Sequence, residues 1–183
     1  MQPIHTARLI LRPFVAGDLA ALTAMHQHPD VYRWLGDGHA PTAAATAARL
    51  EYYRQPLDLV AKTKETRQEL ARLRSPHDDP ARLLGTILLK PVPLSQGEYG
   101  ATEYEIGWHL HPAHWGNGYA TEAAQAMLLR ARMAKLRQVV AVTYPDNWRS
   151  QAVMQRLGMT KSGMTRRYYD TDTLLFTLQL SQS

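Results

Sequence analysis

Two glycines separated by one residue, in Trp115-Gly116-Asn117-Gly118-Tyr119-Ala120, mark the stretch richest in chemical information. It falls between an expected strand and an expected helix. Glycine lets the chain turn tightly and leaves backbone N–H groups uncovered. Together with the positive end of a helix dipole, such donors make a site for phosphate oxygens. Ala120 keeps the first helical turn slim. A plain loop closure would use the same residues. The spacing is not a dinucleotide fingerprint, because Thr121 stands where G-x-G-x-x-G needs its last glycine. No Gly-Lys-Ser/Thr ending makes it a P-loop either.

Just upstream, Tyr104, Ile106, Trp108 and Leu110 alternate with Glu103, Glu105, Gly107 and His109. A strand would put the two sets on opposite faces. A carboxylate on the polar face can take a proton, directly or through water, where burial or a neighbouring carboxylate raises its pKa. A solvent-facing glutamate on a half-buried strand is the plain alternative. His109, His111 and His114 cross from strand to loop, a spacing that defines no metal site, and none is expected. His26 and His28 sit by a helix end and receive no catalytic role.

The surrounding composition narrows the classes. The 183 residues are 45% hydrophobic and 20% charged, which fits one soluble domain over 1–183. No apolar run is long enough to cross a bilayer, and the opening Met1-Gln2-Pro3-Ile4-His5 does not read as a signal peptide. The absence of cysteine excludes disulfides, thiolate metal sites and a cysteine nucleophile, and suits a cytoplasmic setting. A formal charge of +5 permits an anionic partner. With no basic stripe or RNA-binding aromatic motif, independent nucleic-acid binding is not expected.

The elements that must position these residues read as alternating strands and helices. Residues 8–13 suit a short edge strand ended by Pro13. Asp18 reads as a cap before Leu19, Leu22 and Met25. A second helix is expected over 42–54. Residues 57–80 are ambiguous: 57–60 and 69–74 both suit strands, the latter also a helix, and 75–80 a turn. Then follow a buried strand over 83–89, a loop over 91–101 and the strand over 103–110. Next come a long helix over 119–136, a strand over 139–144, and a helix starting within 146–150 and stopping at Gly158. Two last strands are expected over 165–170 and 174–180. The pattern predicts a mixed α/β sheet.

Several segments in order carry a resemblance: Thr6-Ala7-Arg8-Leu9-Ile10-Leu11-Arg12-Pro13, Glu105-Ile106-Gly107-Trp108, the glycine turn continuing into Thr121-Glu122-Ala123, and Asn147-Trp148-Arg149-Ser150 leading to Met154 and Gly158. Together they span nearly the whole chain. The sequence resembles the GCN5-related N-acetyltransferases (GNAT), nearest the branch of ribosomal-protein N-terminal acetyltransferases. The resemblance implies a mixed, mostly antiparallel twisted sheet flanked by helices. It also implies acetyl-CoA as acyl-donor cosubstrate and an amine acceptor, either a protein N-terminus or a small molecule. A homodimer is compatible with it.

By the same resemblance, the strands holding Glu105 and Val139 diverge and admit the pantetheine arm, which pairs with the strand ending at Leu110. Trp115, Gly116, Asn117, Gly118, Tyr119 and Ala120 match the pyrophosphate loop, with Trp115 in place of the usual Arg or Gln. Asn147 lies near the arm. Acetyl transfer needs a neutral amine, a thioester held close, and stabilisation of charge on the carbonyl oxygen and departing thiolate. Glu105 is the candidate base, ahead of Glu103. Met154 stands where many relatives carry a proton-donating Tyr, and a thioether cannot donate. Ser150 is the substitute donor, with helix capping as its alternative. Arg33, beside Trp34, reads as a residue that could meet an anionic group on the acceptor. Tyr32, Trp34, Tyr52 and Tyr53 help shape that region or pack the helices, and Tyr168 and Tyr169 either line the opposite wall or are plain strand residues. Arg130, Arg132, Lys135 and Arg137 read as a solvated face, a minority of which could neutralise cofactor phosphates.

Overall fold

The computed structural model describes residues 3–54, 69–74, 83–97 and 99–180. Its strands are β1 (Ile4–His5), β2 (Ile10–Arg12), β3 (Glu69–Arg74), β4 (Gly85–Pro93), β5 (Tyr99–Leu110), β6 (Gln138–Thr143), β7 (Thr160–Thr165) and β8 (Thr173–Gln179). They form one sheet in the order β1-β2-β3-β4-β5-β6-β8-β7. Every pairing is antiparallel except that of β5 with β6. The helices are α1 (Leu19–His26), α2 (Pro29–Tyr32), α3 (Ala43–Arg54), α4 (Tyr119–Met133) and α5 (Trp148–Arg156). The expected mixed, mostly antiparallel sheet is therefore present.

Strand alternation divides the molecule into two apolar layers. Ile87 and Leu89 of β4 and Ile106 and Leu110 of β5 are buried together with Ala123, Ala124, Met127 and Ala131 of α4. Alanines at these positions let the helix lie close to the sheet. On the other side Leu88 meets a cluster built from Phe14, Leu22, Met25, Val31, Leu50 and Tyr53, contributed chiefly by α1–α3. Gly85 permits the tight crossing of β4 and β5, since a Cβ there would lie 2.6 Å from Leu110 Cγ and 2.7 Å from the His109 carbonyl oxygen.

Several expectations are corrected. Residues 8–13 do not lie at the sheet edge, because β1 pairs outside β2. Asp18 does not cap α1; its carboxylate turns back to accept the Val15 N–H and to pair with Arg12 at 2.9 Å. The expected loop over 91–101 is mostly strand. Pro91 and Pro93 are carried at the end of β4 with a register shift between them, and β5 already begins at Tyr99. The long helix stops at Met133, three residues early, as Lys135 turns left-handed with φ of 57°. Residues 69–74 are the strand of the two readings, while 57–60 and 75–80 lie outside the described residues.

The last expected strand pair is shifted. β7 ends at Thr165, and residues 166–172 form a loop instead of a strand over 165–170. Its conformation follows from hydrogen bonds to the turn after β4. Ser95 donates its N–H to the Arg167 carbonyl at 2.8 Å and its hydroxyl to the Arg166 carbonyl at 2.6 Å. Gln96 N–H reaches the Asp170 carboxylate at 2.9 Å. Tyr169 and Asp170 adopt positive φ of 61° and 54°, a conformation that L-residues hold only when such contacts impose it.

Candidate active site

β5 and β6 are paired only at Tyr104 with Val139 and Glu105 with Val140. β5 runs on to Leu110 and β6 to Thr143 without further pairing, so the sheet opens into a fork just beyond Glu105. Parallel strands that part leave edge N–H and C=O groups without partners. A cavity of about 1260 Å³ follows the fork. Its lining includes the glycine turn and the polar face of β5 with Glu105 and His109.

Gly116 and Gly118 have φ of 79° and 78°, as the turn requires. A Cβ at Gly116 would meet nothing within 4 Å, whereas one at Gly118 would press the Arg8 guanidinium at 3.4 Å. The first intrahelical bond of α4 runs from Glu122 N–H to the Gly118 carbonyl at 3.0 Å. The N–H groups of Tyr119, Ala120 and Thr121 precede that bond and have no acceptor within the helix. Thr121 adds a buried hydroxyl with no partner among the described residues. The backbone donors at the head of α4, on an open cavity, suit a pyrophosphate, so the residues present fit the cofactor that the resemblance implies.

Side chains brace the turn. Trp115 donates its indole N–H to the Leu110 carbonyl at 2.8 Å, which ties the turn to the end of β5. Asn117 donates its side-chain amide to the carbonyls of His114 and Trp115 at 3.3 and 3.1 Å. Arg8 donates to the Asn117 carbonyl at 2.8 Å, pairs with Glu122 at 2.7 Å, and lies 4.9 Å from the Tyr119 ring centre. Burial pushes the Glu122 carboxyl up, but bonds from Thr6 and Arg8 outweigh this and hold it below its ordinary range. The Arg8–Glu122 brace carries no role in the sequence reading, although both residues stand in its ordered motifs. Only the fold brings together residues 114 positions apart.

Asn147 and Ser150 both line the cavity. Asn147 caps α5, accepting the Ser150 N–H at 3.2 Å. Helix capping by Ser150 is therefore corrected: it is the third helical residue, and its hydroxyl has no described partner. Met154 is buried in the core, as a packing residue should be. Arg130, Arg132, Lys135 and Arg137 do not line the cavity; Arg8, Arg149 and Arg156 do. Arg149 lies 4.9 Å above the Trp115 ring.

Glu105 is 7% exposed and lines the cavity. Tyr169 donates its hydroxyl to Glu105 Oε2, and Lys90 from the neighbouring strand lies 3.6 Å from the same oxygen. Burial first, and the Glu105 charge second, push the Tyr169 phenol far above its ordinary range, which keeps it a donor. Glu103 is instead held by Arg167 at 3.0 Å and Tyr168 at 3.3 Å. Tyr168 is buried with Val92 and Val140 and does not line the cavity, while Tyr169 does.

Farther along β5, His109 Nε2 lies 2.9 Å from His26 Nε2. His26 is wholly buried, and burial followed by the Arg49 charge lowers it from 6.5 to about 4. Burial, His26, Arg49 and Lys90 push His109 down in the same sense. Trp34, Tyr52 and Tyr53 line the cavity, but Tyr32 and Arg33 do not. Arg33 pairs with Asp30 at 3.7 Å and lies 4.5 Å from the Trp34 ring centre. Among the described residues, no cluster of His, Asp or Glu is arranged to hold a metal ion. No described helix is long and apolar enough to cross a membrane.

A forked pair of parallel strands with a glycine turn and helix N-terminus at its open end defines an acyl-CoA acyltransferase scaffold. The family described as the acetyltransferase (GNAT) domain matches residues 8–160, and the chain belongs to that family. It is an acetyl-CoA-dependent N-acetyltransferase. Among curated proteins it is 28% identical to the uncharacterised N-acetyltransferase YoaA of Bacillus subtilis (strain 168), over 92% of this chain and 93% of that one. A 33% identity to the FsC-acetyl coenzyme A-N(2)-transacetylase of Aspergillus fumigatus covers 48% of this chain and 39% of that protein. The fold matches a GNAT acetyltransferase from Bacillus anthracis with a TM-score of 0.75 and 23% identity, covering 97% of this chain and 98% of that one. It also matches the ribosomal L7/L12 α-N-protein acetyltransferase RimL, solved with coenzyme A, with a TM-score of 0.73 and 16% identity over 100% of both chains.

Proposed function

We propose that the 116–120 turn and the first N–H groups of α4 bind the pyrophosphate of acetyl-CoA, and that the parted edges of β5 and β6 receive its pantetheine arm. Glu105 then takes the proton of the acceptor amine, and Ser150 hydrogen-bonds the sulfur side of the reacting group. The observation that carries this reading is the fork: pairing stops at Glu105, so the candidate base stands where the opening begins. Acetyl-CoA supplies an activated acetyl thioester. The chain walls the acceptor side with Trp34, Tyr52 and Tyr53, holds Glu105 through Tyr169 and Lys90, and presents unpaired backbone donors to phosphate. The acceptor is a peptide N-terminus or a small-molecule amine. The absence of cysteine goes with a cytoplasmic setting.

Calorimetric titration with acetyl-CoA, desulfo-CoA and ATP tests the cofactor site. One-to-one binding selective for the two CoA ligands is expected. Gly118→Val should weaken it about tenfold or more, since a side chain at positive φ strains the turn and crowds Arg8. Equal affinity in parent and variant would place the phosphates elsewhere. Ser150→Ala should lower kcat about tenfold at unchanged acetyl-CoA affinity, the loss of one hydrogen bond to developing charge. Unchanged turnover in that variant removes Ser150 from the chemistry.

A further inference from the structure

We infer that the acceptor amine carries an anionic group, a carboxylate or a phosphate, and that the guanidinium of Arg49 binds it. The inference rests on Glu105 marking the acceptor end of the cavity.

Charge pairing leaves Arg49, Arg149 and Arg156 of the cavity lining without an acidic partner among the described residues. Of these, Arg49 is half-buried, while Arg149 and Arg156 are exposed on α5. The acids lining the cavity are committed: Glu122 to Arg8, Glu105 to Lys90, and Asp30 to Arg33. Arg149 lies over Trp115 beside the glycine turn. Arg49 also lines the cavity and is only half-exposed, yet it has no hydrogen bond or acidic partner among the described residues. A partly desolvated guanidinium left unpaired is costly, and an incoming anion supplies both the charge and the hydrogen bonds it lacks.

Its place in the fold puts that anion on the acceptor side. Arg49, Tyr52 and Tyr53 stand at i, i+3 and i+4 of α3, and all line the cavity. The Arg49 charge acts on His26, His109 and Tyr53, which belong to the polar face of β5 and the helices covering it, and Tyr53 also feels the charge of Glu105. The neighbouring imidazoles bring no compensating negative charge. The site expected at Arg33 thus falls one helix later, where the aromatic wall and Arg49 coincide.

Acetylation of homologous ω-amino carboxylates, ω-aminoalkyl phosphonates and ω-amino carboxamides tests this. For a matched chain length the charged acceptors should exceed the carboxamide in kcat/KM by about 10–100-fold, the range for a charge-assisted contact. The carboxylate-to-phosphonate ratio tells which anion the site prefers. Arg49→Gln should abolish the advantage and Arg49→Lys retain part of it. Glu105→Gln should lower charged and neutral acceptors by one factor and leave the ratio intact, so a failed base assignment is distinguishable from a failed anion site. A second readout needs no turnover: the charged probes should raise the His26 titration midpoint above about 4, followed by carbon-13 NMR of its Cε1, and carboxamides should not. Equal kcat/KM for charged and neutral acceptors, an advantage that survives Arg49→Gln, or no midpoint shift with any charged probe overturns the inference.

Discussion

Replacing Glu105 with Gln should lower kcat about 100-fold while leaving acetyl-CoA affinity within about twofold. The amide is nearly the same size and can still accept the Tyr169 hydroxyl, so the pocket keeps its shape. What it loses is basicity. Both described contacts of the carboxylate fall on Oε2, from Tyr169 and Lys90, which leaves Oε1 as the oxygen for a proton. An amine that arrives as an ammonium cannot attack until that proton leaves, so the loss falls on turnover rather than on cofactor binding.

Lys90 offers a competing explanation, because Glu105→Gln also removes its ionic partner. Two measurements separate the causes. Tyr169→Phe removes the hydrogen bond but keeps the carboxylate, and should cost less than Glu105→Gln. Parent and Gln variant should also differ most near neutral pH, where a carboxylate can take a proton and the amine still carries one, and converge as pH rises toward the amine's own pKa, where solvent removes the proton unaided. Parent-like turnover in the Gln variant at every pH would eliminate Glu105 as the base.

The parts legible in the sequence are those whose logic is local. The glycine turn, the strand alternation around Glu105 and the Gly158 stop are each set by a few neighbouring residues, and their structures follow the expectation. The parts that were not legible depend on distant partners. Tyr169 reaches Glu105 because residues 166–172 are tied to Ser95 and Gln96, and nothing in Tyr168-Tyr169-Asp170 itself signals left-handed backbone. A run of β-favouring residues reads as strand until a remote turn claims its hydrogen bonds. Arg8 and Glu122 likewise acquire a role only when the turn between β1 and β2 meets α4. Arg33 and Arg49 show the same limit in a functional residue. Adjacency to Trp34 suggested the first, but it is the second, on α3, that lines the cavity.

Acidification from about pH 6.5 to 4 should cost about 3 kcal/mol of folding stability through His26 alone. The sign follows from its lowered pKa. Between the two values the unfolded chain binds a proton that the folded protein refuses, so stability is fully present above 6.5 and drains away as pH falls toward about 4. The structure supplies the reason. His26 is wholly buried, its Nδ1 has no described partner, and Arg49 adds like charge. The 2.9 Å contact between the Nε2 atoms of His26 and His109 requires one N–H donor and one lone pair. Protonating both rings sets two donors against each other, and Arg49 and Lys90 add charge of the same sign. Urea unfolding across this pH range, on the parent and on His26→Gln, isolates the effect. Gln can still donate to His109 but cannot take up the proton, so its stability should fall less steeply with acid than the parent's. Carboxylates such as Glu122 titrate in both proteins and cancel in the difference. Identical pH slopes would mean that His26 is already protonated, or solvated, in the folded protein.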